Sequence, residues 1–191
     1  IAYQDTLMEI GLDNREIDFA IVIHGGAGTI LKKNMSEKME SAYDQKLKEA
    51  LNIGYKILED GGSSVDAVES TIKVLENSEL FNAGKGSVIG EDSSITMDAS
   101  IMRGSDKAAG SVINVKRLRH PIRASNLILK QGWPVIMNGD APDDFAIKKG
   151  LEEVSQDWLK TELRMGQWRQ WKDSKSNPGA TDEDESVLDH D

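Results

Sequence analysis

The sequence predicts a layered α/β protein with antiparallel β-hairpins, not a doubly wound parallel sheet. Three observations carry that expectation. A short apolar run rich in β-branched residues, Phe19 to His24, stops at Gly25-Gly26. Two helical apolar repeats follow in series across a second Gly-Gly joint. Beyond them the chain breaks into short β segments separated by turn residues, before helix and strand alternate again.

FAIVIH reads as a buried strand, because an apolar run this short with a glycine stop suits a sheet core. Ser36 with Glu37 behind it suits a helix start. Met39, Tyr43, Leu47, Leu51 and Tyr55 then recur every fourth residue until Gly61-Gly62. Ser63 or Ser64 caps a second helix, whose inward stripe is expected at Val65, Val68, Ile72 and Leu75, ending near Asn77. Ser87–Ile89 and Ile95–Met102 flank the turn-rich GEDSS and suggest a hairpin, and Ala109–Val115 is a further strand. Pro121 suits the first turn of a helix through Ala124, Leu127 and Ile128. Trp133–Met137 reads as a strand and Ala141–Leu151 as a helix. Trp168 and Trp171, spaced i, i+3, read as helix packing rather than ligand stacking.

Charge and composition narrow the function. Among 191 residues, 33 Asp+Glu against 23 Lys+Arg give a net charge of -10, the reverse of what a nucleic-acid binder needs. No apolar run approaches the ~18 residues of a membrane span. Cysteine is absent, which removes disulfides, thiolate nucleophiles and zinc-thiolate sites. The three histidines, His24, His120 and His190, lie far apart and do not suggest a metal site. The chain opens at Ile1, and its first eighteen residues have no basic region leading into an apolar one, so they read as an extension and not as an intact signal peptide. From Lys172 to Asp191 there are seven acidic and two basic residues with almost no large apolar ones. Such a segment buries too little surface to offset its ordering entropy and is expected to be mobile. It also holds -5 of the net charge.

HGGAGT resembles two motifs and satisfies neither. A dinucleotide fingerprint needs a third glycine where Leu31 stands, and a helix that starts at once. A hydrolase oxyanion loop of the HGGG kind comes with a G-x-S-x-G elbow, and none occurs. What remains is a tight glycine turn, or a backbone bare enough for a reacting group to approach. The cluster LENSELFNAGKGS, Leu75 to Ser87, is either a connector anchored by Phe81 or a curled loop. In the second case its carbonyls suit a hard cation and Asn82 can orient a neighbour. Asp98, in MDASIMRG, is expected to face solvent. No Ser-His-Asp set, cysteine or phosphate loop is found, so a nucleophile would have to come from another chain.

IVIHGGAGT, GGSSVDAVESTIKVLENSELFNAGKGSV and ITMDASIMRGSDKAAGSVINVKRLRHPIRAS together resemble the α-subunit of plant-type L-asparaginases, the isoaspartyl peptidases. The resemblance runs from about Phe19 to about Glu162. It implies an N-terminal nucleophile (Ntn) hydrolase with a four-layer αββα sandwich, in which residues 19–171 are the α-subunit part of one domain and a separate β-subunit completes it. In that family a precursor cuts itself before a threonine, which becomes the nucleophile of the β-subunit, and the product assembles as (αβ)₂. A small amide or β-aspartyl dipeptide is the implied substrate. No organic cofactor is implied. His24, Gly25 and Gly26 match the strand end beside the nucleophile, and Asn82 matches an asparagine near it. Leu75, Glu76, Ser78, Phe81, Ala83 and Lys85 match a loop whose main-chain oxygens hold sodium. Asp191 is expected before the cut. A His190-Asp191 pair there is similar to glycosylasparaginases, which makes an amidase of that kind the alternative, with a non-catalytic small-molecule-binding domain a third reading.

Overall fold

The computed structural model describes residues 19–26 and 35–176. The elements, in order, are α1 (Glu37–Glu59), α2 (Ser64–Glu76), a 3-10 turn (Gly84–Gly86), β1 (Met97–Met102), β2 (Ala109–Val115), α3 (Pro121–Gln131), β3 (Ile136–Asn138), α4 (Asp140–Lys148), α5 (Gln156–Leu159) and α6 (Glu162–Ser176). This is a mixed α/β arrangement around a three-stranded sheet of order β1-β2-β3.

The expected helix starts are where the caps put them. Ser36 Oγ accepts from Met39 N at 3.2 Å, and Ser63 Oγ accepts from Asp66 N at 3.1 Å. Each satisfies one of the donors a helix leaves open at its first turn. Pro121 opens α3, and Gly132, at φ 82°, closes it. The inward faces differ from the four-residue count. α1 buries Ala50 and Gly54, flanked by Tyr43 and Leu47, while Met39 and Tyr55 are exposed. α2 buries Ala67, Thr71, Leu75 and Glu76, with Val68 exposed. The reason is that α2 is packed on two sides. Ala67 and Thr71 face Gly54 of α1, whereas Val65 and Ile72 meet the α3 residues Ile122 and Leu129.

Three β expectations need correction. First, Phe19–His24 is not a buried strand: no ladder is formed and Val22 is 91% exposed. Its burial still alternates, with Ile21 and Ile23 turned toward α1 and α2, so it has a strand's periodicity without a partner among the described residues. Second, Ser87–Ile89 forms no strand, and the hairpin pairs β1 with β2. The segment before β1 has another partner. The Gln156 side chain accepts from Ile95 N at 2.7 Å and donates to Ile95 O at 3.0 Å and Lys116 O at 2.8 Å, standing in for a strand. Third, the strand expected over Trp133–Met137 runs Ile136–Asn138, and it pairs parallel to β2 after the α3 crossover.

One face of the sheet packs on α3, with Met97, Ile101, Val112 and Val115 buried and Ser125 Oγ donating to Ala99 O at 2.9 Å. The other face is open. Asp98, Ser100, Met102, Ile113, Ile136 and Asn138 are exposed along it. The main core gathers Ile95, Val112, Val115, Leu118, Ile128 and Leu159 beneath α3 to α6. The fourth helix runs Asp140–Lys148, and its buried Asp143 accepts from Lys116 N and Arg117 N at 2.9 and 3.2 Å. α6 extends through Ser176 and so covers the first residues of the acidic segment. The rest of that segment, the N-terminal extension, Ala27–Thr29 of HGGAGT, His190 and Asp191 lie outside the described residues. None of the described helices is long and apolar enough to cross a membrane.

Candidate active site

The glycine turn and the Leu75–Ser87 loop come together through Phe81. Phe81 is 5% exposed and packs edge-on to Tyr43 with ring centroids 5.4 Å apart. Ile23 joins the same cluster. A Cβ placed on Gly25 would lie 3.3 Å from the Phe81 ring and 3.1 Å from Leu47, so the turn rests directly on the loop's anchor. Gly26 adopts φ 108°, a conformation glycine tolerates, and its N–H donates to His24 Nδ1 at 3.1 Å. Backbone, and not side chain, is therefore what this turn presents to its surroundings.

Asn82 follows Phe81 and is exposed, with its Oδ1 accepting from Val88 N at 2.9 Å. That bond fixes the orientation of the side-chain amide. The loop itself is held by Tyr43 OH donating to Leu80 O at 2.8 Å and by Leu80 N donating to Ser78 Oγ at 3.3 Å. Phe81 thus serves both readings of this segment, as an apolar anchor and as the residue that carries Asn82.

The carbonyls of the loop curl inward. A Cβ on Gly86 would collide with Phe81 O and lie 2.9 Å from Ser78 O, and one on Gly84 would collide with Glu76 O. Gly84, at φ 55°, also needs glycine for its backbone. The two glycines let the loop close against the carbonyls of Phe81 and Ser78 at Gly86 and of Glu76 at Gly84, a carbonyl-lined cradle. Leu75 O accepts from Ser78 N at 3.0 Å, Phe81 O from Ala83 N at 2.8 Å and Ala83 O from Gly86 N at 3.2 Å. Each such carbonyl keeps a second lone pair. A set of neutral oxygens suits a hard cation, and no cluster of three or more acidic, histidine or cysteine side chains capable of holding a metal is found among the described residues. The nearest charges compensate one another, since Lys85 Nζ pairs with Glu79 at 2.7 Å.

The Glu76 side chain points away from the cradle. Its Oε1 accepts from Ile122 N at 2.9 Å, joining the loop's root to the first turn of α3, while Oε2 is buried without a hydrogen-bond partner among the described residues. Burial pushes this carboxyl up to about 8, against the opposing effect of the Ile122 hydrogen bond. Asp98 is exposed, as expected, and accepts from Asn114 N at 2.8 Å at the bulge in β2, where Ile113 and Asn114 stand opposite it. Sequence reasoning missed Arg164, a 5% exposed residue of α6 whose Nε donates to Gly86 O at 2.7 Å. An arginine in a polar helix carries no signal of such burial.

A family model described as asparaginase matches residues 17–190 of this chain. The isoaspartyl peptidase of Salmonella typhimurium is 40% identical over 147 residues, covering 77% of this chain and 47% of that protein. The isoaspartyl peptidase of Escherichia coli is 38% identical over 170 residues, covering 89% of this chain and 50% of that protein. The plant-type L-asparaginase of Pyrococcus horikoshii is 39% identical over 154 residues, covering 81% and 48% respectively. The chain spans about half the length of these curated relatives.

Proposed function

This chain belongs to the asparaginase family, and on that premise we propose that it forms the α-part of an autoprocessed N-terminal-threonine hydrolase cleaving β-aspartyl bonds in isoaspartyl peptides and L-asparagine. The observation that carries the reading is the seating of the His24-Gly25-Gly26 turn on Phe81, next to Asn82. Two segments far apart in sequence meet at the Phe81 ring, in a chain without cysteine.

In this reading the β-part supplies the threonine. A free α-amine titrates near ~8, so an N-terminal threonine carries its own base beside its hydroxyl. Its oxygen attacks the side-chain carbonyl of the β-aspartyl group. The proton passes through the α-amine to the leaving nitrogen, which departs as ammonia or as the amine of the next residue. Water then cleaves the ester, releasing aspartate and restoring the hydroxyl. This chain's residues do the supporting work. Gly25 and Gly26 let the nucleophile's chain approach without a side chain between, and Asn82 offers a fixed amide to orient it.

Two further parts of the proposal concern assembly. Residues 19–171 form one half of an αββα Ntn sandwich, whose second half covers the open sheet face at Met102, Ile113 and Ile136 and gives Phe19–His24 a strand to pair with. An (αβ)₂ complex is the expected product. Carbonyls of Leu75, Glu76, Ser78, Phe81, Ala83 and Lys85 hold a sodium ion, which when bound fixes the loop carrying Asn82. No organic cofactor takes part.

The test is turnover by the complete protein of β-Asp-Leu, L-asparagine and N-acetylglucosaminyl-asparagine. The first two are expected to be cleaved, and Asn82→Ala is expected to lower kcat by about ten- to a hundredfold. Cleavage of the glycosylated substrate alone would favour a glycosylasparaginase-like amidase, and cleavage of none would overturn the enzyme reading.

A further inference from the structure

We propose that Arg164 is a positioning residue for Asn82, acting from α6 through the carbonyl of Gly86. This rests on the reading of Asn82 as a group beside the nucleophile. Arg164 is buried, and its guanidinium donates from Nε to Gly86 O at 2.7 Å and from Nη1 to Gln167 Oε1 at 3.0 Å. A buried cation is costly unless its donors are satisfied, so this side chain has little freedom to move. Its own backbone is equally fixed, since Arg164 N donates to Thr161 Oγ1 at 3.2 Å in the first turn of α6.

Gly86 is the point where a small displacement spreads furthest. It lies against the carbonyls of Phe81 and Ser78 with no room for a methyl group. Gly86 N donates back to Ala83 O at 3.2 Å, and two residues on Val88 N holds Asn82 Oδ1 at 2.9 Å. Residues 82–88 therefore form a closed ring, with Asn82 at one side and the Arg164 contact at the other. The contact is also the first of a series. Along the same helix Trp168 Nε1 donates to Gly90 O at 2.9 Å and Lys175 Nζ reaches Glu91 Oε1 at 3.5 Å, so α6 touches the segment 86–91 at three points. Within that series only the Arg164 contact falls inside the Asn82 ring.

The experiment uses the complete protein with Arg164→Met, Arg164→Lys and Trp168→Phe, reading amide exchange at Val88 and steady-state kinetics on β-Asp-Leu. Arg164→Met is expected to speed Val88 exchange and lower kcat by about tenfold or more, with KM within about twofold. Arg164→Lys, which keeps a charged donor, recovers part of both. Trp168→Phe is expected to leave both within about twofold, because its bond lies outside the ring. Unchanged Val88 exchange in folded Arg164→Met overturns the proposal, as does an equal loss in Trp168→Phe, which would make α6 a general brace. Should Arg164→Met fail to fold, Arg164→Lys decides in its place, with an intermediate loss supporting the proposal and unchanged Val88 exchange overturning it. A wild-type protein without β-aspartyl hydrolysis fails the function reading, and Val88 exchange then judges the loop contact by itself. An active protein whose kcat ignores Arg164 fails the positioning role alone.

Discussion

The hydrogen atom of Gly86 occupies space that a methyl group cannot enter without striking the Phe81 carbonyl. Gly86→Ala is accordingly expected to destabilise by about 2–3 kcal/mol, the range of an overpacked site with backbone on its other side. Denaturant unfolding measures it. His120 gives a second residue-scale expectation. Burial, with Lys73, Arg119 and Arg123 around it and only Glu152 opposing, pulls its imidazole from 6.5 down to about 4. The neutral ring meets Asn77 Oδ1 at 3.1 Å. Between these two values the unfolded chain binds the proton and the folded one does not, so stability falls as pH drops from about 6.5 toward 4. His120→Gln is expected to flatten the melting temperature over that window, and an unchanged slope would assign the effect to other groups. At this scale the sequence was legible where chemistry is local. Ser36, Ser63 and Pro121 announced their helices, and exposed Asp98 followed from strand alternation. Buried Arg164 and Glu76 were not legible as such, because their burial depends on partners about eighty and forty-six residues away.

Among the elements, the error over the hairpin has one physical source. Ile95 has a strand's composition, but its N–H and C=O are both taken by the Gln156 side chain, so no ladder starts there. Gln156→Ala would leave those buried groups unpaired and is expected to cost about 2–3 kcal/mol, with the core otherwise retained. A change below ~0.5 kcal/mol would show that water replaces the amide. The helix stripes were displaced for a related reason. A repeat counted every fourth residue describes one buried side, whereas α2 is covered by α1 and α3 together. The loop from Leu75 to Lys85 makes its own test at this scale. Exchanging sodium for tetramethylammonium, whose methyl groups keep carbonyl oxygens from its charge, is expected to lower the melting temperature by a few degrees and to speed Val88 exchange. Identical melting in both salts would remove the ion from the account.

For the molecule as a whole, the mixed α/β class was legible, and the unpaired state of Phe19–His24 among the described residues was not. Phe19–His24 has the composition and alternation of a sheet strand, yet Val22 is 91% exposed and no ladder among the described residues reaches it. Met102 and Ile136, 61% and 55% exposed, stand on the face turned away from α3. Apolar alternation records what a strand is built to bury, and says nothing of which chain does the burying. The opening expectation of a layered fold thus becomes a more specific one, of half a sandwich joined to its other half around a nucleophile neither makes alone. Intact-mass analysis and N-terminal sequencing of the complete precursor after expression test that claim most directly. The account predicts two polypeptides that stay together, the second beginning with threonine. A single uncut polypeptide that hydrolyses β-Asp-Leu would contradict it.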